Sequence, residues 1–401
     1  MKLEKLFIDV NLSKIMWALW VVPQVVVNMS TLSVGNVPLL RLFMAHHRRL
    51  VLVLAIFLIA KKLARKQITG FRLLVCAALF VVLGFSHRIT GRGIRLDDAL
   101  IIIMAVSMAN IRDFIKFDVV VRIFSVAFVF LMAASGLIEN NLRDRAGNMD
   151  FSRHALGFGH PNTAGMWVMS ICLAWLYVRF HKLKWFDYIG VLVVSGTVFY
   201  FTRSQTSFFL TILAVMLFAA LRIFKGYGLR DDKTDKVFIY FIPMMAILST
   251  LSAVFYNPEN FIWDFINRVT TGRPYYNNLF FENYRFSFFG QRVTFVGGWQ
   301  AHQEGIRALI LDNAYMALAI NVGFAALLAV CTLYALASRR LLAKYDYPVV
   351  ICIVIFGLLG LMEVAFFDLR LNWSLLLFGL LLLDEHELTQ QIPETSDYKN
   401  P

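Results

Sequence analysis

Apolar runs of about 20 residues recur along nearly the whole chain, the length a helix needs to cross a bilayer. They fall at 14–33, 46–61, 70–86, 97–112, 118–138, 163–180, 185–201, 205–224, 237–256, 308–337, 346–366 and 371–385. Polar positions between them are confined to short clusters, with one exception. Phe255 to Asn313 is long, polar and aromatic, and carries Arg268, Arg273, Arg285, Arg292 and Arg307. Loops of that length inside a compact architecture are usually functional. No strand-like alternation recurs in roughly ten-residue segments, which argues against an outer-membrane barrel. The pattern predicts an all-α, polytopic integral membrane protein with about twelve transmembrane helices. Residues 1–385 form the membrane domain, 256–307 a large loop between the ninth and tenth helices, and 386–401 a polar, acidic, disordered cytoplasmic tail.

Composition sharpens this picture. Of 401 residues, 59% are hydrophobic and only 16% charged, against about 25% charged in soluble domains. The net charge of +13 does not call for nucleic acid, because most Lys and Arg flank apolar runs, where they set topology and meet anionic lipid. With both termini cytoplasmic, the inner loops hold Lys61, Lys62, Arg65, Lys66, Arg112, Lys116, Lys182, Lys184, Lys225, Arg230, Lys233, Arg339 and Arg340. Arg41, Arg48, Arg49, Arg88, Arg92 and Arg95 break the rule. Loops 139–163, 202–205, 256–307 and 367–370 then share the extracytoplasmic face. The four cysteines lie in apolar runs without metal-ligand spacing and read as packing residues. No cleavable signal peptide, phosphate loop, HExxH or GxSxG is evident.

The outer loops collect polar residues with no topological task. Arg153, His160, Pro161, Asn162 and Thr163 precede the sixth run, and Asn162 or Thr163 can cap its helix. A helix start at a membrane edge suits an anion, although a plain capped helix explains the same residues. Thr202-Arg203-Ser204 is a tight turn; its arginine either grips phosphate bidentately or snorkels to the interface. The long loop adds Arg268, Gly272-Arg273, Tyr275, Tyr284 and Trp299, with Glu282 and Glu304 as candidate bases. An amphipathic cap lying on lipid is the competing explanation. Asp312-Asn313-Ala314-Tyr315 opens the tenth run, and Asn321 and Gly323 follow. Glu363 lies inside the eleventh, with Asp368 and Arg370 beyond it, and either serves a site or locks helices through an ion pair.

Taken in order, Arg153…Phe158-Gly-His160-Pro161-Asn162…Gly165, then Thr202-Arg203-Ser204, Gly272-Arg273 and Asp312-Asn313-Ala314-Tyr315…Gly323 resemble the motifs of the O-antigen polymerase/O-antigen ligase superfamily, the Wzy-type membrane glycosyltransferases. The resemblance covers about residues 150–325 by motif and most of the chain by hydropathy. It implies a GT-C-like helical fold in the bacterial cytoplasmic membrane with the large loop outside. It implies polymerisation of polyprenyl-diphosphate-linked oligosaccharide repeats into a surface polysaccharide (capsular, exo- or O-antigen), with no cofactor and no metal. Membrane lipid and other assembly proteins, such as a flippase and a chain-length regulator, would be partners. By motif position Arg153, Arg203, Arg273 and Asp312 would be catalytic. His160, Asn162, Arg268, Tyr275, Glu282, Asn313 and Tyr315 would bind substrate. Fixed arginines neutralise a departing diphosphate electrostatically, and the acceptor hydroxyl needs one weak base: Asp312, Glu282 or His160, in that order. The family's second motif usually ends Ser-Arg rather than Arg203-Ser204. Ligases acting on lipid A usually carry His where Asp312 stands, which favours a polymerase over the alternative, a ligase. A flippase is disfavoured because few charges, Arg122 and Glu363 among them, lie within spans.

Overall fold

A computed structural model describes residues 2–33, 38–90, 96–106, 110–145, 148–224, 232–297, 301, 304–306, 309–344 and 346–383. The expected tail at 386–401, together with Arg92, Arg95, Lys225, Arg230, Trp299 and Arg307, lies outside them. Among the described residues, eight helices are long and apolar enough to cross a membrane: Leu40–Ala64, Gly70–Thr90, Ile111–Ala134, Pro161–Lys182, Trp185–Thr202, Gln205–Ile223, Asp232–Val254 and Ala314–Leu342. The coarse expectation of a helical membrane protein rests on these. The other four expected spans have different forms. The first is a helix, α1 (Lys2–Pro23), ending in a π turn at Gln24–Asn28, as befits a proline that disrupts the regular ladder. The fourth is α4 (Leu96–Val106), only 11 residues. The eleventh is a 14-residue helix, Tyr347–Gly360, about 21 Å long against a bilayer core of about 30 Å. The twelfth is a 3-10 helix, Trp373–Leu382.

The chain divides into two compact units. The first comprises 1–76, 98–205 and 375–401. Its helices include α1, α2 (Pro38–Ala64), α5 (Ile111–Ala134), α6 (Pro161–Arg179) and α7 (Trp185–Thr202), and an antiparallel hairpin of β1 (Leu142–Arg145) and β2 (Asn148–His154) connects α5 to α6. α6 is the central helix: Ala164, Trp167, Leu173, Ala174 and Tyr177 have no exposed surface. α5 carries a fully buried ion pair, Arg122 Nε donating to Asp118 Oδ2 at 2.6 Å. Trp17 Nε1 of α1 donates to the other carboxylate oxygen at 2.7 Å, and the guanidinium lies 5.1 Å from the Trp167 ring of α6. One pair of opposite charges thus ties three helices together. An intramembrane pair enclosed by three helices in this way reads as structural rather than as a transport path.

The second unit comprises 77–97 and 206–374. It contains α8 (Gln205–Ile223) from residue 206 onward, α9 (Asp232–Val254), α10 (Phe261–Val269) and α11 (Arg273–Tyr284). The Ala314–Leu342 span is broken into α12 (Ala314–Ala317), a π turn at Leu318–Gly323 and α13 (Phe324–Leu342). The helix Tyr347–Gly360, α14, follows. The stretch expected as a loop at 256–307 thus begins as two helices. Its extended continuation docks on the break in the span. Phe324 N–H donates to Ser287 O at 2.7 Å, Gln291 N–H to Asn321 O at 3.0 Å, and Asn321 Nδ2 to Gln291 O at 3.2 Å. Two glycines permit this approach. Gly323 has φ +125, and a Cβ there would lie 2.6 Å from Phe288 O; one at Gly290 would lie 2.6 Å from the Asn321 and Val322 carbonyls. The helix loses its regular ladder at the π turn, and the docked segment satisfies backbone groups there.

Candidate functional site

In the second unit, Gly272 ends the turn after α10 in a left-handed conformation, φ +86, and caps α11. The cap makes Arg273 the first residue of α11. Its Nη2 lies 2.9 Å from Asp312 Oδ2 and donates to Met362 O at 3.2 Å. Its Nε is buried with no hydrogen-bond partner, a desolvated donor of the kind native folds rarely leave unmatched. Asp312 lies just before α12. Burial pushes its carboxyl above the usual carboxylate range, and the Arg273 guanidinium opposes that shift. Asp312 also lines a cavity of about 330 Å³ with Phe295, Leu309, Leu311, Asn321 and Val364 among its walls. An isolated antiparallel bridge between Val296 and Leu309 builds one side: Val296 N–H donates to Leu309 O at 3.0 Å, and the reverse bond measures 2.9 Å.

The neighbouring candidates have structural tasks. Asn313 caps α12, accepting from Met316 N–H at 3.1 Å while its Nδ2 donates to Ser249 Oγ of α9 at 3.1 Å. It thereby fixes Asp312 one residue earlier. Tyr315 is fully buried, and its hydroxyl donates to Gly357 O at 2.8 Å; it packs α12 on α14 and has no surface for a substrate. Arg268 pairs with Asp264 at 2.7 Å and is largely exposed. Glu282 pairs with Arg285 at 2.8 Å on the surface, so Asp312 is the acid held against Arg273. Tyr275 packs against Tyr256 and Tyr276, with ring centroids at 6.2 and 5.3 Å. Glu304 is exposed. Glu363, expected inside a span, lies beyond the end of α14 and precedes a 3-10 turn at Val364–Phe367. Asp368 and Arg370 pair with each other at 2.6 Å.

In the first unit, Arg153, next to last in β2, bridges two helix termini. Its Nε donates to Thr202 O at 2.9 Å, at the end of α7, and its Nη2 donates to Asn162 Oδ1 at the start of α6. The α6 cap is His160 rather than Asn162 or Thr163: its Nδ1 accepts from Asn162 N–H at 3.1 Å, and Pro161 takes the first helical position. Pro supplies no N–H, so the ring closes the end that a bare helix would offer an anion. Arg203 terminates α7 at φ 51 and ψ 30, with its guanidinium 5.9 and 5.4 Å from the Phe199 and Tyr200 rings. The structure thus brings Arg153, His160 and Asn162 together in one unit, and Arg273, Asp312 and Asn313 in the other.

Sequence reading missed Ser249, the Met362 carbonyl and the π turn. Gly290 and Gly323 were the available signal, since both occur where the backbones meet. No protein-family model, curated protein or solved structure matches this chain.

Proposed function

We propose that the chain is a membrane glycosyltransferase that polymerises polyprenyl-diphosphate-linked oligosaccharide repeats, acting on the outer face of a bacterial cytoplasmic membrane. The observation that carries this reading is the Arg273–Asp312 pair, whose aspartate lines the cavity and whose guanidinium has one nitrogen buried and unpartnered. A glycosyl donor that departs with a diphosphate needs a fixed cation more than a proton donor. Arginine keeps its charge when desolvated and presents a planar fork to phosphate.

The reaction follows from that pairing. The acceptor hydroxyl oxygen attacks the anomeric carbon of the donor glycan. The bond from that carbon to the diphosphate oxygen breaks, and its electron pair leaves with the carrier diphosphate beside Arg273. The hydroxyl proton passes to the Asp312 carboxylate, whose burial makes it a stronger base than an exposed one. As Arg273 engages the diphosphate it loosens from Asp312, which raises the basicity of the carboxylate further. Arg153 and Arg203 in the first unit are the further phosphate-binding candidates of the resemblance, with Arg153 the better oriented through Asn162 and Thr202. A strain deleted for the gene tests the reading. Glycan of single repeat length, on carrier or surface, supports a polymerase; full-length chains left unattached point to a ligase, and an unchanged profile contradicts both.

A further inference from the structure

α10 presents to the protein the face that a soluble helix would present to water. Trp263 packs on Tyr256, with centroids 6.1 Å apart. Asn267 accepts from Tyr275 N–H through its side chain at 3.1 Å and from Gly272 N–H through its carbonyl at 2.7 Å. Those contacts hold the aromatic and polar side of α10 to the joint between α9 and α11. The opposite side carries Phe261, Ile262, Phe265 and Val269, which are 82%, 63%, 59% and 66% exposed. At 100° per residue these four lie within one 100° sector. No residue of α10 is buried.

We propose that this face of α10 lies in the headgroup–acyl boundary of the bilayer, as an interfacial helix that continues a lipid-facing stripe of α9. Three observations commit the face to lipid. First, Ile247, Leu248, Leu251 and Val254 are exposed along one stripe of α9, which is long and apolar enough to cross a membrane, and Phe255 just beyond its end is exposed too. That stripe leads directly into the turn before α10. Second, the turn is fixed: Asn260 N–H donates to Asn257 O at 3.1 Å, and the Asn260 side chain caps α10 through Ile262 N–H at 2.9 Å. Third, Tyr256, Trp263 and Tyr275 cluster at the joint, and such rings favour the depth where one end is apolar and the other wet. Asp264 and Arg268 pair along the flank of the apolar sector, which suits the headgroup side. Arg273 begins α11 four residues after Val269, so the anchor would set its height near that of lipid phosphate. The inference concerns the membrane alone and holds whether or not the chain transfers glycans.

The test uses the full chain reconstituted in phospholipid nanodiscs, with single cysteines at Phe261, Phe265, Val269, Asp264 and Arg268 carrying a nitroxide. The four native cysteines are buried, and unmodified protein measures their background labelling. Collision with oxygen against a water-soluble nickel chelate gives depth. Labels at 261, 265 and 269 are expected about 5–10 Å below the phosphates, oxygen-rich and shielded from nickel, while labels at 264 and 268 stay nickel-accessible. Phe261→Glu in the Val269-labelled protein should move that label toward nickel access. Uniform nickel access along the helix would overturn the proposal, because the face would then lie in water. Shielding of 261, 265 and 269 from both reagents would also overturn it, because protein, such as a second copy, would cover the face.

Discussion

Arg273 meets three demands at once: it holds Asp312, caps the Met362 carbonyl and keeps Nε dry and unpaired. Lysine can keep the charge but not the fork, so Arg273→Lys should lose most of the polymerising activity that Arg273→Ala loses; polymer length by gel ladder reads this. Asp312 makes a pH prediction. In the proposed role of base it would work deprotonated, so kcat/KM should rise with pH through its pKa, at a pH above the ordinary carboxylate value of about 3.9. Asp312→Asn should remove that limb. The same upward shift means the folded chain binds the proton more tightly than the unfolded one. Stability from this group is therefore greatest at low pH and falls as pH rises from the ordinary value through the folded one. Gly323→Ala places a Cβ 2.6 Å from Phe288 O at φ +125. It should cost about 1–3 kcal/mol from backbone strain alone, visible as a lower midpoint in thermal unfolding in detergent.

At the scale of elements, run length and polarity made the long helices legible, because both lipid and protein interiors demand uninterrupted backbone bonding. They could not separate a helix facing lipid from one enclosed by protein. α14 shows the confusion: Tyr347 through Gly357 are all buried inside the fold, and the helix stops at 14 residues. Glu363 consequently sits outside the helix rather than within a span. Asn313, expected to bind substrate, instead caps α12, and the π turn had no composition of its own. It exists because residues 287–291 compete for the backbone of the span, a contact made by distant sequence. Likewise His160 rather than Asn162 caps α6, because Arg153 already holds the Asn162 oxygen. The Asp118–Arg122 pair makes the prediction at this scale. Removing either partner leaves a buried charge across α1, α5 and α6, so Asp118→Ala should destabilise by about 3–5 kcal/mol. Replacing both, as Asp118→Leu with Arg122→Met, should recover much of that loss in denaturant unfolding.

For the whole molecule, eight membrane-length helices among the described residues set the architecture, and the polar stretch between α9 and α12 carries the proposed chemistry. In that stretch Gly272 turns the chain, Arg273 follows, and Asp312, which pairs with it, lines a cavity. An outward-facing loop predicts that Asn283→Cys, at an exposed position, reacts with an impermeant thiol reagent applied to intact cells. Reaction only after permeabilisation would reverse the orientation. The most direct measurement uses purified chain in nanodiscs with a polyprenyl-diphosphate-linked oligosaccharide and follows product by gel ladder. The parent chain should build polymers of several repeats and release carrier diphosphate, and folded Arg273→Ala should be slower by about 100-fold or more. A ladder from Arg273→Ala that matches the parent in rate and length would contradict the account.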